Sequence, residues 1–292
     1  KSTKSLELKL NDYFSEEESV TAGAFTQARS KLRHTAFIEL NEEAYTEHWY
    51  LNHENDYKRY KGHRLLAVDG SKIRLPNTNE VEEEFGRIRI KNQFGTGSYV
   101  GGQSSVLYDV LNEMVLDSNL ESSKTSELEL ALGHLRFCQK GDLILFDRGY
   151  PGYKLFATLE AKNLNFVCRC SRTAFGVVEE FLKQEDVLDA VVTLYPCKDI
   201  RRQIKKQKLP DSIKIRLVKV LLSTGEVEVL ATSLLDKSQY LLGEFKDLYA
   251  LRWGVETFFD RIKNRLFLEN FSGKTVESVK QDFYSTMLIT NM

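Results

Sequence analysis

The chain has 292 residues, of which 42% are hydrophobic and 28% charged, with a formal net charge of −1. These are values of an ordinary globular protein with room for one large core or two smaller ones, and they exclude a uniformly basic nucleic-acid binder while allowing local basic faces at 29–33, 87–91, 198–208 and 261–265. No apolar run approaches the roughly 20 residues that span a bilayer, and the charged, polar start is no signal peptide. The chain does not begin with Met and stops inside the apolar stretch 283–292, so it reads as a fragment. Cys138, Cys168, Cys170 and Cys197 are too few for a disulfide scaffold and lack paired zinc spacing, which fits reduced thiols in a cytoplasmic protein. No histidine pair has a ligand spacing such as HExxH.

Residues 1–60 read as helical. Ser15 with Glu18 fits a capping box, and Thr21 is placed to cap a second helix over 22–32, with Phe25, Ala28 and Leu32 inward. That helix carries Gln27, Arg29, Lys31 and Arg33, and it reads equally as a DNA-groove helix or as a solvated surface. From residue 63 the periodicity changes. An apolar run, 64–69, ends in Asp69, followed by a Gly70-Ser71 turn and a strand over 72–75. Residues 77–103 read as a loop-rich excursion, with the glycines at 95, 97, 101 and 102 as a flexible loop. A hairpin over 104–110 and 114–119, a helix over 125–137, a strand over 143–146, a helix over 152–161 and a strand over 165–170 follow. This order predicts a mixed sheet flanked by helices over 61–170. Residues 171–235 break the pattern and read as a β-rich insertion, with a hairpin around Ser223-Thr224-Gly225. Residues 236–292 return to helix.

Two aspartates, Asp69 and Asp147, stand at the ends of apolar strands, where an open α/β sheet places its ligands. Further on, Tyr249, Arg252, Glu256 and Lys263 are spaced by near-whole helical turns and share one stripe. Leu248, Leu251, Val255, Phe258, Phe259, Ile262 and Leu266 form the opposing apolar face. Alone, the stripe also reads as a surface helix with ordinary charge pairs. With Glu256 added, the aspartates make a set of three carboxylates able to share two hard cations such as Mg2+ or Mn2+.

The strand ending Asp-Gly-Ser, the strand ending Asp-Arg-Gly-Tyr and the helix motif Tyr249, Arg252, Glu256 and Lys263 resemble the DDE transposases of the fourth insertion-sequence family. The resemblance covers roughly residues 20–290. It implies an α/β, ribonuclease-H-like core with a β insertion between the second aspartate and the glutamate, after an N-terminal helical region. It implies Asp69, Asp147 and Glu256 as catalytic ligands of two divalent cations, and Tyr249, Arg252 and Lys263 as DNA contacts, with Arg29 and Lys31 as candidates from the N-terminal helix. It further implies double-stranded DNA, both transposon ends and target, as the partner, and a dimer in the DNA complex. Relatives that form a DNA hairpin stack a flipped base on an aromatic of the insertion; Phe175, Phe181 and Tyr195 are the candidates here, since Trp49 and Trp253 lie outside it. The alternatives are a nuclease without strand transfer and an inactive, transposase-derived DNA-binding protein.

Overall fold

One mixed sheet organises the chain. The computed structural model describes residues 6–14, 20–92, 95–222 and 225–292. Helices come first: α1 (Leu6–Tyr13), α2 (Ala22–Arg29), α3 (Thr35–Glu39) and α4 (His48–Asn52), the last two joined by a π-helix, Leu40–Glu47. Thr21 caps α2, its hydroxyl accepting from the Ala24 N–H at 3.1 Å. The helix ends at Arg29 and buries none of its residues; Leu32, expected inward, is 41% exposed beyond it. The proposed capping box of Ser15 and Glu18 lies outside the described residues.

Then follow β1 (Leu65–Arg74), α5 (Asn79–Phe85), β2 (Arg87–Asn92), β3 (Gly95–Asp109), β4 (Met114–Ser122), α6 (Glu127–His134), β5 (Leu143–Phe146), α7 (Tyr153–Ala161) and β6 (Asn165–Cys170). The expected turn at Gly70-Ser71 is absent. β1 runs straight through it because the much longer β3 pairs with it from Leu66↔Asp109 to Arg74↔Gly101. The expected loop over 77–103 is instead a helix and two strands. Gly101 and Gly102 lie inside β3, where a Cβ would fall 2.8 Å from the Ile73 carbonyl and 2.9 Å from the Glu121 carbonyl respectively. These glycines serve close packing, and flexibility is not their purpose.

The last group is α8 (Gly176–Lys183), β7 (Asp189–Leu194), α9 (Lys198–Lys206), β8 (Ile213–Leu221), β9 (Val227–Thr232), α10 (Phe245–Ala250), α11 (Trp253–Asn264) and α12 (Val276–Asn291). The hairpin of β8 and β9 is present, although Ser223 and Thr224 at its tip lie outside the described residues. Its strands continue the main sheet, whose order is β2-β3-β1-β5-β6-β9-β8-β7 with β4 also on β3. β5 is parallel to both β1 and β6, and the other pairings are antiparallel.

Strand alternation sorts the core into two layers. Leu65 and Ala67 of β1, with Leu143 and Leu145 of β5, join Val255, Phe258, Phe259 and Ile262 of α11 and Val279 and Phe283 of α12. Leu66, Val68, Ile144 and Phe146 join Ala131 of α6, Leu155 and Phe156 of α7 and Val178 of α8. Because both faces are covered, the short central strand β5 is apolar throughout.

Arg216 on β8 ties residues 171–235 to the C-terminal helices. It is fully buried, donates to both Asp189 oxygens at 2.9 and 2.7 Å and to the carbonyl of Tyr240 at 2.8 Å, and lies 5.0 Å from the Phe245 ring centroid. Replacing it by alanine leaves Asp189 with only the more exposed Lys237, 3.2 Å away, and strands the Tyr240 carbonyl. Arg216→Ala should lower unfolding free energy by about 3–5 kcal/mol in urea titration; a loss below about 1 kcal/mol would mean that water replaces the guanidinium.

Candidate active site

The parallel register of β1 and β5 sets the geometry. Leu65 pairs with Leu143, Leu66 with Ile144 and Ala67 with Leu145. The pairing ends there; continued two residues along each chain, the same register sets Asp69 level with Asp147, which follows the end of β5. By strand alternation Asp69 shares the side of Ala67, the side that α11 covers. Each aspartate accepts the N–H of the next residue on its Oδ1, from Gly70 at 2.9 Å for Asp69 and from Arg148 for Asp147. Those bonds fix the Asp69 side chain midway along β1 and the Asp147 side chain just past the end of β5.

The helix carrying the third carboxylate is not continuous. α10 stops at Ala250 and α11 starts at Trp253, with short-range bonds from the Arg252 N–H to the Tyr249 carbonyl and from the Val255 N–H to the Arg252 carbonyl. The predicted single stripe is therefore split at residues 251–252. Leu248, Val255, Phe258, Phe259 and Ile262 are buried as expected, whereas Leu251 and Leu266 are exposed.

Arg252 sits at this break and is 4% exposed. Its Nη2 donates to Glu256 Oε1, which holds the guanidinium firmly protonated against its burial. Its Nε and Nη1 have no hydrogen-bond partner among the described residues. Asp69 and Asp147 both feel its charge. Lys263 reaches β1 beyond Asp69, donating to Ser71 Oγ at 2.5 Å and to the Lys72 carbonyl at 3.0 Å, and burial pulls its pKa down. Tyr249 is buried, and its hydroxyl donates to the Phe146 carbonyl at 3.3 Å, one residue before Asp147.

Burial first, then the charges of Glu256 and Asp147, raise Asp69 to about 6 against the pull of Gly70 and Arg252. The donors are all carboxylate oxygens, the kind that Mg2+ and Mn2+ take, and their mutual repulsion is what a cation relieves. They fit such an ion in donor type and charge. Among the described residues no three Asp, Glu, His or Cys side chains are yet gathered closely enough to hold a metal ion, and Glu256 is turned onto Arg252.

The remaining candidates lie elsewhere. Arg29 is bound to the last helix, donating to Gln281 Oε1 at 2.6 Å, to the Ser278 carbonyl at 2.9 Å and to Asp282 Oδ1 at 2.8 Å. Its fork is thus spent on holding α2 to α12. Lys31 is exposed beyond the end of α2. Of the stacking candidates, Phe181 is buried and Phe175 packs 5.7 Å from Phe156, while Tyr195 is 68% exposed. Trp253 is 59% exposed beside Arg252. Sequence reading also missed a concavity of about 450 Å³ next to Asp147, lined by Arg148, Arg169 and Arg172 and partly neutralised by a Glu228 pair to Arg169 at 2.5 Å. Three arginines from two separate strand ends leave no linear motif.

Residues 60–292 match the family described as the transposase DDE domain. Over 279 residues the chain is 25% identical to transposase InsG for insertion sequence element IS4 of Escherichia coli (strain K12), covering 94% of this chain and 60% of that protein. The chain thus spans less than two thirds of the length of this curated relative. A chain of the piggyBac transposase synaptic complex with hairpin DNA, solved by cryo-EM, aligns at a TM-score of 0.48 and 13% identity, over 96% of this chain and 58% of that one. No helix among the described residues is long and apolar enough to cross a membrane.

The raised Asp69 has a signed consequence. Its folded form keeps a proton that the unfolded chain releases near pH 4, so that part of the stability is full below pH 4 and is lost as pH rises through about 6. Asp69→Asn removes this loss. With a chelator present, its thermal stability should match wild type below pH 4 and exceed it by about 1–3 kcal/mol above pH 7. A difference that stays constant across that range would refute a strained carboxylate.

Proposed function

Because the chain belongs to the family of transposase DDE domains, we propose that it cuts DNA at transposon ends and joins the freed 3′ ends to target DNA. The observation that carries this reading is the parallel register that brings Asp69 level with Asp147 beneath the helix of Glu256. In this reading Asp69, Asp147 and Glu256 hold two divalent cations, Mg2+ or Mn2+. When bound, such ions activate a water or 3′-hydroxyl and stabilise the leaving oxygen of an in-line displacement. Double-stranded DNA is the substrate, with a dimer engaging both ends, in the bacterial cytoplasm on the nucleoid.

The other residues take roles that follow from their contacts. Glu256 leaves Arg252 to join the aspartates. The buried guanidinium, already short of two partners, then meets a DNA phosphate, for which its planar fork is suited. Lys263 adds a third donor beside Asp69. Tyr249 acts through the Phe146 carbonyl, holding the end of β5 so that Asp147 stays aimed. Arg148, Arg169 and Arg172 extend the positive path for the strand leaving the site.

Asp69→Asn and Glu256→Gln should each abolish cleavage of an end-bearing duplex while leaving duplex binding within about threefold, in line with loss of a cation-held step. Undiminished cleavage by either variant sinks the assignment. Pre-cleaved ends given to wild type should be joined to target; cleavage without joining would leave a nuclease, and binding with neither would leave an inactive DNA-binding protein. Lys263→Ala should reduce the slope of log affinity against log salt by about 1. An unaltered slope would show that its ammonium touches no phosphate.

A further inference from the structure

Glu127 opens α6 on the opposite side of the sheet from α11. It does not cap the helix; Ser126 does, accepting from the Glu129 N–H at 3.2 Å. Its carboxylate instead lies against the middle of β1 and the turn that follows β5. A Cβ built on Gly70 would lie 3.3 Å from Glu127 Oε1, and one on Gly149 would lie 3.8 Å from Glu127 Oε2. Gly70 directly follows Asp69, and Gly149 lies just past Asp147. The buried amide of Gln103 steers the group, its Nε2 standing 3.3 Å from Glu127 Oε1.

A second observation points to a ligand at this place. The Tyr150 hydroxyl belongs to a residue only 2% exposed and has no hydrogen-bond partner among the described residues. After burial, the charges that most hold it protonated are those of Glu127, Asp69 and Asp147. A buried donor without an acceptor, set in the field of three carboxylates, calls for an oxygen that the protein does not supply.

We propose that Glu127 is a fourth carboxylate of the divalent-cation site, entering from the α6 side of the sheet while Glu256 enters from the α11 side. The proposal rests on the catalytic reading given above. Gly70 is required by it, because a side chain there would press on both Gln103 and Glu127. Tyr150 donates to an oxygen of the cation's hydration shell or of the DNA.

The test is Mn2+ binding to the full chain without DNA, followed by calorimetry, in wild type, Asp69→Asn, Glu127→Gln, Glu127→Asp and Glu129→Gln. Glutamine keeps an acceptor for Gln103, so Glu127→Gln should melt with the wild type in chelator. It should bind Mn2+ at least about tenfold more weakly, with Glu127→Asp between the two and Glu129→Gln unchanged. Should Glu127→Gln fail to fold, Glu127→Asp, with its charge kept and its reach shortened, carries the same comparison. Wild-type affinity in both Glu127 variants alongside a loss in Asp69→Asn overturns the role of Glu127 and leaves the catalytic reading standing. No binding by wild type, or no loss in Asp69→Asn, overturns both.

Discussion

One buried positive charge balances the end of the sheet where the aspartates emerge. Arg252 has Glu256 on one edge and feels Asp147, while Asp69 feels it in turn. Placing a guanidinium among apolar side chains is costly unless carboxylates surround it, and placing carboxylates together is costly unless a cation stands among them. Each half of the arrangement makes the other tolerable. The balance is incomplete on both sides: Asp69 still has a raised pKa, and two Arg252 nitrogens lack partners. On the proposed reading the cation and the anion of a metal-bound phosphodiester complete both halves of that balance.

Much of this was legible in the residues. The apolar runs that lead into Asp69 and Asp147, the Thr21 cap, the β8–β9 hairpin and the buried face of α11 all follow from local pattern. What escaped was long-range. β1 continues past Gly70 because β3 offers partners up to Arg74, and no local signal announces that pairing. Gly101 and Gly102 looked flexible because glycine has the same letter whether it serves a turn or a close contact. The break at residues 251–252 hides within sound helical spacing. Glu127 was invisible because its neighbours in space, Gly70 and Gly149, lie far from it in sequence and carry no side chain.

The segment 171–235 is a continuation of the sheet more than an appendage. β9 pairs antiparallel with β6 from Val167↔Thr232 to Cys170↔Val229, so β6 shares hydrogen bonds with both β5 and the added hairpin. Arg216 then joins that hairpin to the carbonyl of Tyr240, just ahead of α10. A force on β7–β9 is thus transmitted to the helix pair that carries Tyr249 and Arg252 through two routes, the sheet and the guanidinium. His63 strengthens the second route, bridging the Gly141 carbonyl and the Tyr240 hydroxyl at 2.6 Å each.

β1 carries Asp69 and, two residues on, Ser71, to which Lys263 is docked. Alternate residues of a strand lie on one face about 6.6 Å apart, a spacing set by the pleat and insensitive to side-chain motion. On the proposed reading, one end of that interval meets a cation and the other meets a phosphate. The strand is then a ruler laid along the nucleic-acid backbone, with graduations comparable to the separation of neighbouring phosphates. A loop in the same place would have let the two contacts drift independently, and the substrate would have slid without changing its binding energy.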